Sequence, residues 1–415
     1  MEDGDVPWRR GTARAAFRNR DFTIFWSGMF ASNIGTWMQT LVLAEYGLKI
    51  GGPAYVGYLG FAVLGPLLLL APVAGLIADV VDRRRWLITN QTAMLVCAFV
   101  LAAYVWRVGH VSTLVIFLLV FLNGVFNALT GPGMSAISPT LVPPEDLNGA
   151  VSLFSFQMNM SRVVGPLIGT AIYNVKGPGL VFAVNAVTYL FAVAGLVFAR
   201  YPRRAGAVLE ERGFARLASG FRIAWHDQLV RRVLIILWTM SLVSLNFIQF
   251  MSVHAQQDLA IPAKSLAFGM LYASFALGAA AGAVSVGTIF SSVDQARIVR
   301  PSLIAFAVFL GLFGALHGPA PAYPVVFLLG YAYFAAITAL STVLQANIAN
   351  EVRGRLSSLW IMGFGGAVGI AALLWAPLAD YSVVALLEVG AVWAVVLVWV
   401  ASPRSLRRSE EIANA

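Results

Sequence analysis

Gly75-Leu76-Ile77-Ala78-Asp79-Val80-Val81-Asp82-Arg83-Arg84-Arg85 sets an acid and a basic cluster between two long apolar runs. A carboxylate at the mouth of an apolar helix, with three arginines behind it, needs a physical reason. The chain is 59% hydrophobic and 11% charged over 415 residues, with a mean hydropathy of +0.80, whereas average proteins carry about 25% charged residues. Apolar stretches long enough to cross a hydrocarbon core of about 30 Å recur along the whole length. In lipid only helices and closed barrels satisfy their backbone. The runs here are continuous rather than alternating, which excludes a barrel. The chain reads as an all-α integral membrane protein.

Working outward, twelve apolar spans fall between residues 23 and 402. With the first residues placed in the cytoplasm, all but five of the 28 lysines and arginines fall on that side. Lys49, Arg107, Lys176 and Lys264 fall outside, and Arg162 lies within the fifth span. The positive-inside rule then puts both termini in the cytoplasm. Topology explains the net charge of +9, and no nucleic-acid partner is expected. The segment up to Asp21 is polar and basic, so the first apolar run reads as a retained helix and not a signal peptide.

The longest polar segment, 200–232, carries Phe214, Leu217, Phe221 and Trp225 at helical spacing opposite Arg216 and Arg222. It reads as an amphipathic helix on the inner leaflet or as a solvated linker. The expected organisation is a tail (1–21), a six-helix bundle (22–199), the linker (200–232), a second six-helix bundle (233–402) and a tail (403–415). The halves echo one another. Asp146-Leu147-Asn148-Gly149-Ala150-Val151-Ser152 lines up with Glu351-Val352-Arg353-Gly354-Arg355-Leu356-Ser357, and Trp26 and Asn33 pair with Trp238 and Asn246. Parallel six-span repeats build one transporter architecture, whose substrate site lies at the repeat interface near the bilayer midplane.

The opening stretch resembles the loop 2–3 signature of the major facilitator superfamily, G-x-L-A-D-R-x-G-R-R, with Val80 for a basic residue and Asp82 for a glycine. Gly35-Thr36-Trp37-Met38-Gln39, Asn159-x-x-Arg162-x-x-Gly165-Pro166-x-x-Gly169 and Arg353-Gly354-Arg355-x-x-Ser358-Leu359 are similar to the branch of enterobactin exporters and drug:proton antiporters. The resemblance implies twelve helices in two bundles and makes the opening stretch a cytoplasmic latch. Its members would be Gly75, Asp79, Arg83 and Arg84 with Arg353 and Arg355 at the start of span eleven. Physically, Asp79 gains from the positive end of that neighbouring helix, by about 0.3–1 kcal/mol, and from charge-assisted bonds. The usual basic partner in span four is absent, where Gly131-Pro132-Gly133-Met134 stands.

In span five, Pro166 cannot donate to the carbonyl of Arg162, so a kink is expected. Gly165 and Gly169 permit close helix approach. This G-P-x-x-G resembles the superfamily's antiporter motif, which points to export; a packing kink with no directional meaning is the other reading. Arg162 lies roughly 20 Å into its span at 1.5 Å per residue. A charge there costs at least about 2.5 kcal/mol and faces a cavity or a partner. Three roles stay open: binding a substrate anion, tuning a carboxylate, or satisfying carbonyls freed by Pro166. A proton carrier must be an acid able to hold a proton near neutrality. Glu45 is the best candidate, with an ion pair to Lys49 as its competing role. Asn33, Gln39, Asn123, Asn127, Gln157, Asn246, Gln249, Tyr331 and Tyr333 are expected either to line the cavity with Arg162 or to bond between helices.

The single cysteine, Cys97, and the scattered His110, His226, His254 and His317 give no metal spacing, and no cofactor is expected. No triad order, Walker sequence or zinc motif is present, so no enzyme is expected. The sequence points to an inner-membrane, alternating-access, monomeric transporter. It would export a medium-sized amphipathic solute, siderophore- or drug-like, against proton entry, with lipids as its surroundings. The alternatives are an uncoupled facilitator or lipid flippase of the same fold, and a scaffold or sensor that transports nothing.

Overall fold

A computed structural model describes residues 12–108, 110–201, 214–262, 265–348, 350–401 and 406, and every regular element among them is helical. The first group comprises α1 (Ala13–Ala16), α2 (Arg20–Val80), α3 (Arg83–Arg107), α4 (Thr113–Ile137), α5 (Leu147–Lys176) and α6 (Pro178–Phe198). A further helix, α7 (Phe214–His226), precedes α8 (Gln228–Thr239), α9 (Asn246–Gln257), α10 (Leu266–Gly287) and α11 (Gln295–Ala315). The chain continues through α12 (Pro319–Ala346), α13 (Asn350–Ile361), α14 (Ala367–Ala379) and α15 (Val383–Val400). Widened π turns, Met240–Ser244 and Met362–Gly366, join α8 to α9 and α13 to α14.

Ten helical stretches among the described residues are long and apolar enough to cross a membrane. Two features separate that number from the twelve spans expected. The first two spans run on within α2 as two helices broken at Gly52, whose φ of 74° favours glycine, and are counted there as one stretch. α5 is not among the ten; it carries Gln157, Asn159 and Arg162. One side of it packs on α2 and α10, where Gln157 is buried, while Phe156, Ile168 and Val175 are exposed on another.

The sequence echo between the halves reappears as a hydrogen bond. Trp26 Nε1 of α2 donates to the carbonyl of Leu153 in α5 at 3.1 Å. Trp238 Nε1 of α8 donates to the carbonyl of Leu359 in α13 at 3.2 Å. In each half an indole on the opening helix ties down the helix that follows the echoed Gly motif. Such bonds are worth about 0.6–2 kcal/mol in lipid.

The halves meet along two seams, α2 with α14 and α5 with α10. The first is a backbone contact: a Cβ on Gly369 would fall 2.3 Å from the Gly65 nitrogen, and one on Gly57 would fall 2.6 Å from the Ala372 carbonyl oxygen. At the Gly52 break the Ala54 amide donates to Asp380 Oδ1 at 2.9 Å, fastening α2 to the end of α14. The linker helix expected in 200–232 is α7. Its Gly220 packs on the Arg355 backbone in α13, while Phe221 and Trp225 are 49% and 72% exposed. The side chains of Phe214, Arg216 and Leu217 lie outside the described residues.

Candidate functional site: a central cavity between the halves

A cavity of about 400 Å³ opens where α2, α4, α5, α9, α10, α12 and the Met362–Gly366 turn converge. Of the polar residues expected to line it, Asn33, Asn127, Arg162, Gln249 and Tyr333 do so. Trp37, Phe268, Tyr272, Phe275, Phe334 and Phe364 supply aromatic wall. Both halves contribute, and apolar surface dominates, as in small-molecule sites.

The other five expected residues stand elsewhere. Gln39 is buried and accepts a hydrogen bond from Asn185 Nδ2 at 2.8 Å, joining α2 to α6. Asn123 Nδ2 donates to the Met94 carbonyl at 3.2 Å, joining α4 to α3. Asn246 Nδ2 donates to the Val243 carbonyl at 3.1 Å, an acceptor in the adjoining π turn. A widened turn loosens the carbonyl ladder and a side-chain amide fills it. Gln157 is buried with Oε1 unpartnered, and Tyr331 presents its backbone to Gly282 of α10.

Arg162 is the cavity's distinctive group. Its guanidinium carbon stands 5.1 Å from the Trp37 ring centroid and 5.4 Å from that of Phe334, one ring from each half. Cation–π contacts take up part of the charge but accept no in-plane N–H. Arg162 Nε is buried and has no acceptor. Among the described residues Arg162 forms no hydrogen bond to a backbone carbonyl and no ion pair with a carboxylate. It therefore does not plug the carbonyl that Pro166 leaves free.

Glu45 is 2% exposed, and neither carboxyl oxygen has a hydrogen-bond partner. Lys49 is exposed and makes no ion pair with it, so the competing role expected for Glu45 is not the arrangement found. Glu45 lies outside the cavity lining, one residue beyond the lining Ala44.

Span five joins the site through its glycines. A Cβ on Gly165 would sit 2.7 Å from the Trp37 Cβ, and one on Gly169 would sit 3.1 Å from the Met38 Cα. These gaps let α5 lie against the α2 backbone and set Arg162 beside Trp37. Pro166 stays inside a continuous α5, and its carbonyl accepts from Thr170 Oγ1 at 2.9 Å.

At the latch, the side chains of Gly75, Asp79 and Arg353 lie outside the described residues. Arg83 opens α3, and Asp82, which replaces the signature glycine, caps that helix by accepting from the Arg85 amide at 3.0 Å. Such a cap contributes about 1 kcal/mol. Arg84 turns to α6, donating from Nε to the Leu196 carbonyl at 2.8 Å and from Nη2 to that of Val197 at 2.5 Å. Its guanidinium lies 5.4 Å from the Tyr201 ring centroid. Burial raises the Tyr201 phenol above its ordinary value despite the nearby Arg84, so the ring stays neutral and the contact is cation–π. Arg84 thus fastens α3 to α6, within one half. Arg355 is half-buried on α13 under α7.

Sequence reasoning missed a pair at the C-terminal end of α9. His254 is fully buried; Nδ1 lies 2.9 Å from Asp258 Oδ2 and Nε2 lies 2.8 Å from the Phe313 carbonyl. The spacing i, i+4 was the available signal. It also missed Asp380, whose partner is a backbone amide and leaves no pattern in the sequence.

The profile of the transmembrane secretion effector family matches residues 11–414. The enterobactin exporter EntS of Escherichia coli O127:H6 is 25% identical over 377 residues, 87% of this chain and 84% of that protein. The staphyloferrin A transporter of Staphylococcus aureus is 33% identical over 171 residues; the match spans 41% of this chain and 43%, under half, of that relative. Among solved structures, the nucleoside transporter NupG superposes with a TM-score of 0.71 at 12% identity, covering 94% of this chain and 100% of NupG. A bacterial homologue of the iron transporter ferroportin, in its inward-facing state, gives 0.69 at 18% identity, covering 94% and 99%. Both likenesses concern the fold.

Proposed function

The chain belongs to the transmembrane secretion effector family of the major facilitator superfamily and is a multi-pass membrane transporter and not an enzyme, and from that premise we propose that it is a proton-coupled exporter of a medium-sized amphipathic solute. Twelve spans in two six-helix bundles, with both termini cytoplasmic in an inner membrane, complete the proposal. The domain limits are those read from the sequence, and α7 lies on the inner leaflet with Phe221 and Trp225 in lipid. The protein works as a monomer by alternating access.

One observation carries the reading: an aromatic-walled cavity near the middle of the bundle, built by both halves and holding Arg162. A scaffold or sensor needs no such chamber. The relatives named for enterobactin and staphyloferrin A point to a siderophore-like solute. In the proposed cycle the cavity loads from the cytoplasm while α2 and α14 stay packed at the Gly52 end. Rocking of the halves then opens that end and closes the other. The latch of Gly75, Asp79 and Arg83 with Arg353 and Arg355 would hold the cytoplasmic closure. Proton entry through Glu45 would drive the cycle.

Inside-out vesicles with an acidic interior test this. Adding enterobactin or staphyloferrin A should release protons from the lumen, read by a pH-sensitive dye. A dye signal that ignores both solutes, alongside mass-spectrometric uptake that proceeds without a gradient, would replace the antiporter with an uncoupled facilitator.

A further inference from the structure

The cavity holds one charge and nothing to balance it. Among the described residues that line it, Arg162 is the single ionisable cation and no Asp or Glu is present. Its Nε is buried without an acceptor, and the rings of Trp37 and Phe334 cover it without accepting its N–H groups. An uncompensated guanidinium in a low-dielectric site is costly. Its planar fork of donors matches a two-oxygen anion such as a carboxylate, catecholate or sulfonate. The amides of Asn33, Asn127 and Gln249 line the same cavity, and no hydrogen bond joins them to the rest of the protein among the described residues. They are free to meet neutral polar groups of a ligand.

Resting on the transporter reading of this cavity, we infer that its ligand is an organic anion with a planar apolar body, whose two-oxygen acid group seats on Arg162. The same charge repels lipophilic cations, since a like charge in a site of this kind is strongly disfavoured. The cavity thus selects the siderophore-like arm of the solute class over cationic drugs. Trp37 and Phe334, rings that could otherwise hold a cation, already face Arg162, and no carboxylate stands among the described lining residues to attract one.

The test uses three probes of one shape and different charge: naphthalenesulfonate, naphthalenesulfonamide and naphthyltrimethylammonium. The sulfonate and the ammonium are permanently charged, so a pH gradient does not drag them through bare lipid. Calorimetric titration of the full chain in lipid nanodiscs, against empty nanodiscs, should show the sulfonate binding about tenfold or more tighter than the sulfonamide, and the ammonium weakest. Arg162→Gln should bring sulfonate and sulfonamide level, and Arg162→Lys should keep part of the preference. The inference is overturned if the neutral or cationic probe binds as tightly as the anion, or if folded Arg162→Gln keeps the preference. Should Arg162→Gln not fold, the charge series on the unmodified protein decides. Gradient-driven flux of the three probes separates the two readings. Flux of the ammonium in preference to the sulfonate overturns the anion site and leaves the exporter standing. Anion-selective binding with no driven flux supports the anion site and removes the exporter.

Discussion

Among the described residues of the first half, Glu45 is a buried carboxyl and Arg162 a half-buried guanidinium with a buried Nε, and they are placed differently. Arg162 faces the cavity, while Glu45 sits outside its lining with both oxygens unpartnered. The proposed coupling assigns the transported proton to this carboxyl, which no neighbouring group engages. Glu45→Gln keeps the shape and removes the titration. Counterflow of solute without a gradient should persist, while accumulation driven by a pH gradient should fall to the ungraded level. Retained gradient-driven accumulation would take Glu45 out of the coupling pathway. At the same scale, removing the Asp258 carboxylate from buried His254 leaves a ring nitrogen without its acceptor. Asp258→Ala should destabilise the protein by about 1–3 kcal/mol, read as a lower melting midpoint in detergent.

The elements explain which parts of the site were readable from the sequence. Membrane helices are apolar toward lipid and apolar toward each other, so the hydropathy pattern reveals spans and hides faces. Asn123 and Asn127 were indistinguishable on that basis, yet one bonds to α3 and the other meets the cavity. Asn246 was diverted by a π turn, which has no sequence signature of its own. Arg162 was legible because a mid-span charge is rare, and the Gly165–Pro166–Gly169 motif because small residues mark close approach. The Trp echo located matching helices but not the two indole hydrogen bonds that give it meaning. Prediction at this scale concerns the α2–α5 seam. A leucine at Gly165 would press on Trp37 and the Ile34 carbonyl, where a Cβ alone would fall 2.7 and 2.9 Å away. Gly165→Leu should cost about 1–3 kcal/mol and displace Arg162, whereas Gly165→Ala should do less. Thermal melting with sulfonate binding measures both effects.

For the whole molecule, the seams indicate which end yields. α2 and α14 are in backbone contact, and the Ala54 amide with Asp380 adds a fastening at the Gly52 end. In the proposed alternating-access cycle that fastening breaks each time the Gly52 end opens. Asp380→Ala should shift the population toward opening at that end, by about 0.5–1.5 kcal/mol of lost bond, read as faster labelling of a cysteine placed at the buried Ala54 in a Cys97→Ser background. Unchanged labelling would mean the Gly52 end is governed by other contacts. The helical membrane fold was written in the apolar runs and the family in the opening signature. The packing of the polar α5 against α2 and α10 was not, since it depends on what surrounds the helix. Coupled export is the central claim, and inside-out proteoliposomes with an acidic lumen test it most directly through accumulation of naphthalenesulfonate. The lumenal concentration should rise above the external one and return to it when an ionophore collapses the gradient; accumulation indifferent to the ionophore, or none in any gradient, would contradict it.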